Sequence, residues 1–129
     1  MNPNPDTPTD IAVAVTTDYV PGQSIPEARR YVYAYTITIS NQGPRGAQLL
    51  SRHWIIKDEA ERTQEVMGEG VVGEQPYIAP GEHYTYTSGV VLETETGLMQ
   101  GSYQMRDDDG RVFDAAIPAF ALVPPHAVH

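Results

Sequence analysis

Residues 31–40 constrain the fold more than any other part of the chain. They read YVYAYTITIS, so that large and small side chains alternate. An extended strand would point Tyr31, Tyr33, Tyr35, Ile37 and Ile39 to one side, whereas a helix would scatter them around its circumference. Burying each of these side chains contributes roughly 1.5–3 kcal/mol. The segment therefore predicts a half-buried β-strand with a firmly set register.

Similar strand-like segments follow along the chain, separated by turn signals such as Pro21-Gly22, Pro80-Gly81 and Asp109-Gly110. They recur at intervals of roughly 8–12 residues, and no segment has the length and apolar face of a stable helix. This spacing is typical of two packed sheets. We predict an all-β fold, an immunoglobulin/fibronectin type III-like β-sandwich of seven to eight mostly antiparallel strands in two sheets.

Two details of the predicted strands concern the core. In residues 47–57, Leu50, Trp54 and Ile56 share one parity, and Leu49 falls on the other. Trp54 is the lone tryptophan and the best candidate for a core anchor. Near the end of the chain, Pro118 interrupts an apolar stretch. We therefore predict separate last strands over residues 112–117 and 120–123.

The length of 129 residues suits one domain with one hydrophobic core. Residues 1–9 hold three prolines among polar neighbours, which predicts a disordered N-terminal tail. We predict a single domain over residues 10–124. The Pro124-Pro125 pair would end it and leave a short C-terminal tail over residues 125–129.

The charge balance limits the classes of partner. Seventeen acidic against eight basic residues give a formal net charge of −9, which repels polyanions. We therefore expect no binding to nucleic acid or to an anionic membrane. The chain has no cysteine, so disulfides and thiolate chemistry are excluded. Its first residues lack the features of a secretion signal, and no apolar run is long enough to span a membrane. We expect a cytoplasmic protein.

A glycine pattern, G-x-G-x-x-G, lies in the middle of the chain. In nucleotide-binding proteins a helix follows this pattern and holds the pyrophosphate at its N-terminus. Here Pro76 follows closely and acidic side chains flank the glycines, so we predict a shaped loop between strands. This loop either binds a partner or a ligand or is purely architectural. Its residues are Gly68, Glu69, Gly70, Val71, Val72, Gly73, Glu74 and Gln75. We interpret Val71-Val72 as an exposed apolar pair, and Arg52 and His53 as adjoining surface.

The remaining polar residues form no catalytic or metal-binding pattern. His53 and His83 lie in separate predicted strands, without a second ligand at a fixed spacing. Residues 107–110 resemble a fragment of a calcium loop but lack its alternate-position ligands and distal glutamate. No serine lies in a nucleophile elbow. We therefore predict no catalytic residues, no metal ligands and no cofactor, and we expect that the protein is not an enzyme.

Five segments together resemble one known family. They are residues 30–39 (RYVYAYTITI), 48–56 (QLLSRHWII), 68–76 (GEGVVGEQP), 84–89 (YTYTSG) and 101–105 (GSYQM). In this order they resemble the ApaG family, over nearly the whole chain. The resemblance implies a fibronectin type III-like fold and no established enzyme activity. It also implies an association with cobalt and magnesium efflux, for which the family carries the alternative name CorD. In eukaryotic F-box proteins and a polymerase-delta-interacting protein, the same domain looks like a partner-binding module.

We therefore predict a non-enzymatic protein-interaction module that uses a sheet edge or the glycine loop. The alternative is a small-ligand binder for a pyrophosphate-containing nucleotide or a divalent cation, acting through the glycine loop or the acidic surface. Open sheet edges would also allow a homodimer.

Overall fold

The computed structural model of the chain describes residues 10–125. The predicted N-terminal tail lies outside this range, as do residues 126–129 of the predicted C-terminal tail. Two short 3-10 helices, Pro21–Gln23 and Pro26–Ala28, follow the first strand. Neither of these nor any other helical segment within the described range is long and apolar enough for a membrane crossing. The strands are β1 (Ile11–Tyr19), β2 (Tyr31–Asn41), β3 (Ala47–Asp58), β4 (Thr63–Glu69), β5 (Tyr77–Ile78), β6 (His83–Leu92), β7 (Gly97–Asp107) and β8 (Val112–Leu122).

The eight strands form two antiparallel sheets, which confirms the predicted all-β sandwich. One sheet has the order β1-β2-β6 and the other the order β4-β3-β7-β8, with β5 paired to the start of β3. Along one side of the sandwich, β1 packs against β8. On the other side the sheets end in β6 and β4, and each of these strands pairs with a single strand among residues 10–125. The candidate functional site lies at this open side.

The core lies between the inward faces of β2 and β3. Tyr33, Tyr35, Ile37 and Ile39 are all buried, as their alternation predicts. The Trp54 side chain is 2% exposed, so its prediction as a core anchor is confirmed. Its ring meets the ring of Tyr35 edge-on at 5.4 Å between centroids, a geometry that aromatic pairs prefer.

Strand parity does not give the inward side of β3 at its start. Leu49 is fully buried together with Trp54 and Ile56, whereas Leu50 is only half-buried. The pairing with β7 shifts between Leu49 and Ser51, so Leu50 is the extra residue of a β-bulge. One inserted residue reverses the parity, and residues on opposite parities therefore reach the same core.

The predicted break at Pro118 was also wrong. Residues 112–122 form one continuous strand, β8, at the edge of its sheet. The pairing with β7 skips from Phe120 to Ile117, which leaves Pro118 and Ala119 opposite a single residue. A bulge on an edge strand accepts proline because the missing N–H donor is not needed there.

One buried polar side chain, that of Asn41 in the first sheet, links the two sheets at this end of the sandwich. The Asn41 amide nitrogen donates to the carbonyl oxygens of Arg45 at 2.8 Å and Ile78 at 2.9 Å. Its side-chain oxygen accepts from the Gly43 N–H at 3.0 Å. These bonds tie the end of β2 to the following turn and to β5, and all the polar atoms of the amide group are used.

Replacing Asn41 by alanine should lower the free energy of unfolding by about 3 kcal/mol, because two carbonyls would lose their donors in a buried site. Urea unfolding followed by tryptophan fluorescence measures this change. Thr87→Ala is the control, since it removes an exposed hydroxyl bonded to Thr36 and should cost less than about 1 kcal/mol. Equal costs for the two variants would contradict the role assigned to Asn41.

Tyr86 and Tyr103 hydrogen-bond each other across the core. Because of these two side chains, the free energy of unfolding depends on pH in the alkaline range. Burial raises the pKa of Tyr86 to about 12. Burial, followed by the neighbouring Tyr86, raises the pKa of Tyr103 well above its usual value. Above about pH 10 the unfolded chain releases these protons and the native protein keeps them, so the stability they contribute is lost as pH rises.

We expect the free energy of unfolding to fall by about 1.4 kcal/mol per pH unit for each such tyrosine above about pH 10. Urea unfolding at pH values on either side of this point measures the slope. The double variant Tyr86→Phe/Tyr103→Phe should be less stable at neutral pH but should show a shallower slope. An equally steep slope in the double variant would contradict this assignment.

Candidate functional site

The glycine stretch folds as the end of β4 followed by a tight turn. Gly68 and Glu69 belong to β4, and the turn begins at Gly70. Val71 and Glu74 exchange two backbone hydrogen bonds of 2.8 and 2.9 Å, so Val72 and Gly73 form a two-residue tip. Both tip residues have positive φ, 43° and 83°, as in a type I′ turn. The predicted loop therefore begins two residues later than its first glycine.

The two valines of the turn have opposite environments, and their interpretation as an exposed apolar pair was half wrong. Val71 is 1% exposed and packs into the hydrophobic core. Val72 is 55% exposed, and its left-handed backbone is one that a β-branched residue rarely adopts. Glycine, asparagine or aspartate would fill this position at lower cost. In this strained conformation, the apolar side chain of Val72 lies exposed at the tip of the turn.

Arg52 holds the base of this turn. Its Nη1 atom donates to the carbonyl oxygens of Glu69 at 2.9 Å and Gly70 at 2.8 Å. Gly68 lies against the guanidinium, and a Cβ atom there would come within 3.0 Å of it. The Gly70 N–H donates to the Leu50 carbonyl at 2.9 Å, and the Gln75 amide reaches the same oxygen. The turn is therefore fixed to β3 at several points.

The glycine turn does not have the geometry of a phosphate-binding loop. No helix follows it before β5, and the N–H groups of Gly70, Val71 and Glu74 all donate to carbonyls of the protein. The Glu69 and Glu74 side chains are exposed beside it. Between residues 10 and 125 there is also no group of three or more acidic or histidine side chains placed to hold a metal ion.

His53 does not join Arg52 in the site. Adjacent residues of a strand point to opposite faces, and Arg52 shares the inner face with Trp54. His53 lies on the outer face, where its Nε2 atom is 2.5 Å from the Glu65 carboxylate. The sequence predicted that both Arg52 and His53 adjoin the turn, but in the structure only Arg52 contacts it.

Sequence reasoning missed a groove that adjoins Arg52. It opens between β4 and β6 and has a volume of about 320 Å³. Trp54 and Ser88 line it, one from each sheet. The Trp54 indole N–H is buried and has no hydrogen-bond partner among residues 10–125. No local pattern marks such a site, because the strands that form it pair in different sheets.

Comparison with known proteins agrees with this architecture. The profile of the ApaG domain matches residues 21–107. Protein ApaG of Pseudomonas aeruginosa is 61% identical over 124 residues, covering 96% of this chain and 98% of the relative.

Two solved structures are also similar. A crystal structure of a Bordetella pertussis protein described as ApaA is 50% identical, has a TM-score of 0.88, and covers 94% of this chain and 98% of that one. An X-ray structure of a Northeast Structural Genomics Consortium target is 45% identical, has a TM-score of 0.89, and covers 94% and 92%. The match to the domain and the near-complete overlap with these relatives show that the chain belongs to the ApaG family.

Proposed function

We propose that this chain is a non-enzymatic protein-interaction module, and that its partner docks on the free edge of β4 and on the turn that follows. The observation that carries the proposal is Val72, an exposed β-branched side chain kept in a left-handed conformation. A turn selected only for stability would have glycine or asparagine there. Strain of this kind is typical of residues that contact a ligand or a partner.

The edge of β4 offers the backbone groups that an added strand requires. β4 pairs with β3 alone, so its outer edge has no partner strand within the described part of the chain. An extended peptide binds such an edge by main-chain hydrogen bonds and places alternate side chains on the two faces. Met67 is 73% exposed on this strand, and it adds apolar contact surface close to the turn.

The charge around the edge indicates the chemistry of the partner. Glu65, Glu69 and Glu74 are all exposed along β4 and the turn. The net charge of −9 adds a negative field over the whole surface. The partner segment that fits this edge is extended. It carries apolar side chains that contact Met67 and Val72, and between those side chains it carries lysine or arginine. The family resemblance also implies an association with cobalt and magnesium efflux. We propose that the module contributes to this efflux through the protein that it binds.

The substitution Val72→Asn should change stability and partner binding in opposite directions. Asparagine tolerates the left-handed backbone, so the free energy of unfolding should rise by about 1 kcal/mol. The same change removes the apolar tip and should weaken partner binding. Urea unfolding measures the first effect. Quantitative mass spectrometry of proteins captured from lysate of the source cell measures the second.

Met67→Thr and Val112→Thr complete this experiment. Met67→Thr removes the exposed apolar side chain of β4 and should also lower capture of the partner. Val112→Thr is the matched control, because Val112 is 61% exposed on the edge strand at the far side of the same sheet. Capture that is equal for wild type, Val72→Asn and Met67→Thr would refute the proposed surface.

A further inference from the structure

We propose that the groove between β4 and β6 is a binding site for a small carboxylic acid with an apolar body, whose carboxylate is held by Arg52 and Trp54. This site faces the inside of the sandwich, whereas the proposed partner surface is the outer edge of β4 and its turn. The two proposals can therefore be tested independently, and failure of one does not contradict the other.

The sheet topology creates the groove. β6 ends one sheet and β4 ends the other, and the space between them is filled by no strand of the described chain. The groove of about 320 Å³ adjoins a second one of about 280 Å³, which shares Ile56, Gln64 and Val91 with it. Binding sites for small organic molecules start at about this size.

Most of the residues that line the groove are apolar or aromatic. Val66 comes from β4, Val90 from β6 and Met99 from β7, and the Tyr35 ring lies beside Trp54. Such a wall accepts a hydrocarbon chain or a ring, and a few polar groups then fix its orientation.

The first of these polar groups is the Trp54 indole. The residue is 2% exposed, and its Nε1–H donates to no group of residues 10–125. An indole N–H can only donate, and buried polar groups nearly always have a partner. Trp54 lines the groove but its Nε1 atom is closed to solvent, so a small shift of the surrounding side chains would let a carboxylate oxygen reach the N–H and supply the missing acceptor.

The second polar group is Arg52. Its Nη1 donors bind the Glu69 and Gly70 carbonyls, which leaves the Nε and Nη2 donors for a ligand. It forms no ion pair with any carboxylate in the described part of the chain. The backbone bonds hold the guanidinium in place before a ligand arrives, which reduces the entropy cost of binding.

The charge of the lining selects an anion. Among residues 10–125, Arg52 is the charged residue that lines the 320 Å³ groove, and no aspartate or glutamate of this range lines it. In the adjoining groove, Asp58 and Glu93 are both paired with Arg62. A chain with seventeen acidic and eight basic residues thus presents one unpaired cation to this groove. The Ser88 hydroxyl lines the same groove and supplies a further donor.

The lone tryptophan makes the test direct. A two-dimensional ¹H–¹⁵N spectrum shows one indole N–H signal, which reports on Trp54 alone. Titration with 3-phenylpropionate should move this signal downfield in a saturable manner, because the N–H gains an acceptor. The matched neutral probe is 3-phenylpropionamide, which keeps the shape and lacks the charge. It should bind about 10- to 100-fold more weakly, as expected when a charge-assisted hydrogen bond is lost.

Three variants assign the effect to the groove. Arg52→Gln should weaken 3-phenylpropionate binding about 10- to 100-fold. Because this change also releases the turn, Ser88→Leu provides a second test: it fills the groove and leaves the bonds of Arg52 intact. Arg106→Gln removes an exposed charge outside the groove and should bind like wild type.

No saturable movement of the indole signal at millimolar 3-phenylpropionate would overturn the proposal. Equal affinity for the acid and the amide would overturn the assigned anion selectivity, and unchanged binding in Ser88→Leu would overturn the assigned location. Loss of binding in both groove variants, with Arg106→Gln unaffected, would establish the site. None of these results depends on a protein partner.

Discussion

The packing of β2 against Trp54 is the interaction on which the rest of the structure depends. The tyrosine and isoleucine side chains of β2 cover one side of the core, and the indole fills the space between the sheets. Tyr35, Tyr103 and Phe120 meet the indole ring edge-on from three directions. Apolar burial of this kind supplies most of the stability of a small sandwich. The same indole also forms part of the groove wall, so the core and the proposed ligand site share one residue.

The open side of the sandwich follows from this packing and from the strand order. β1 and β8 close one side, and β4 and β6 leave the other side free. Free edges expose unpaired backbone groups and are a hazard unless they are used or protected. Here Arg52 anchors the turn beyond β4 by its bonds to two carbonyls. This single side chain therefore connects the outer edge, where we propose that a protein docks, with the inner groove.

Much of the fold could be predicted from local sequence patterns. The alternation in residues 31–40 predicted β2 and its inward face, and turn signals separated most of the strands. The error at Pro118 and the change of parity at Leu50 have one cause, because both residues lie at bulges. A bulge depends on how a strand pairs with a partner distant in the sequence, and parity within a single strand does not contain that information.

The site was less predictable than the fold. The glycines indicated a turn, and Gly70 and Gly73 do adopt positive φ there. The burial of Val71 could not be foreseen, because it depends on the direction of the turn relative to the core. The groove, with the unpaired N–H of Trp54, required knowledge of which two strands end the sheets.

The central claim is that the free edge of β4 is the surface that meets a partner. Site-specific photo-cross-linking in living cells tests it most directly, with p-benzoylphenylalanine placed at position 67 on β4 or at position 112 on β8. Both positions are exposed and lie at opposite edges of the same sheet. We predict a discrete cross-linked product from position 67 and none from position 112. No product from position 67, or the same product from both positions, would contradict the account.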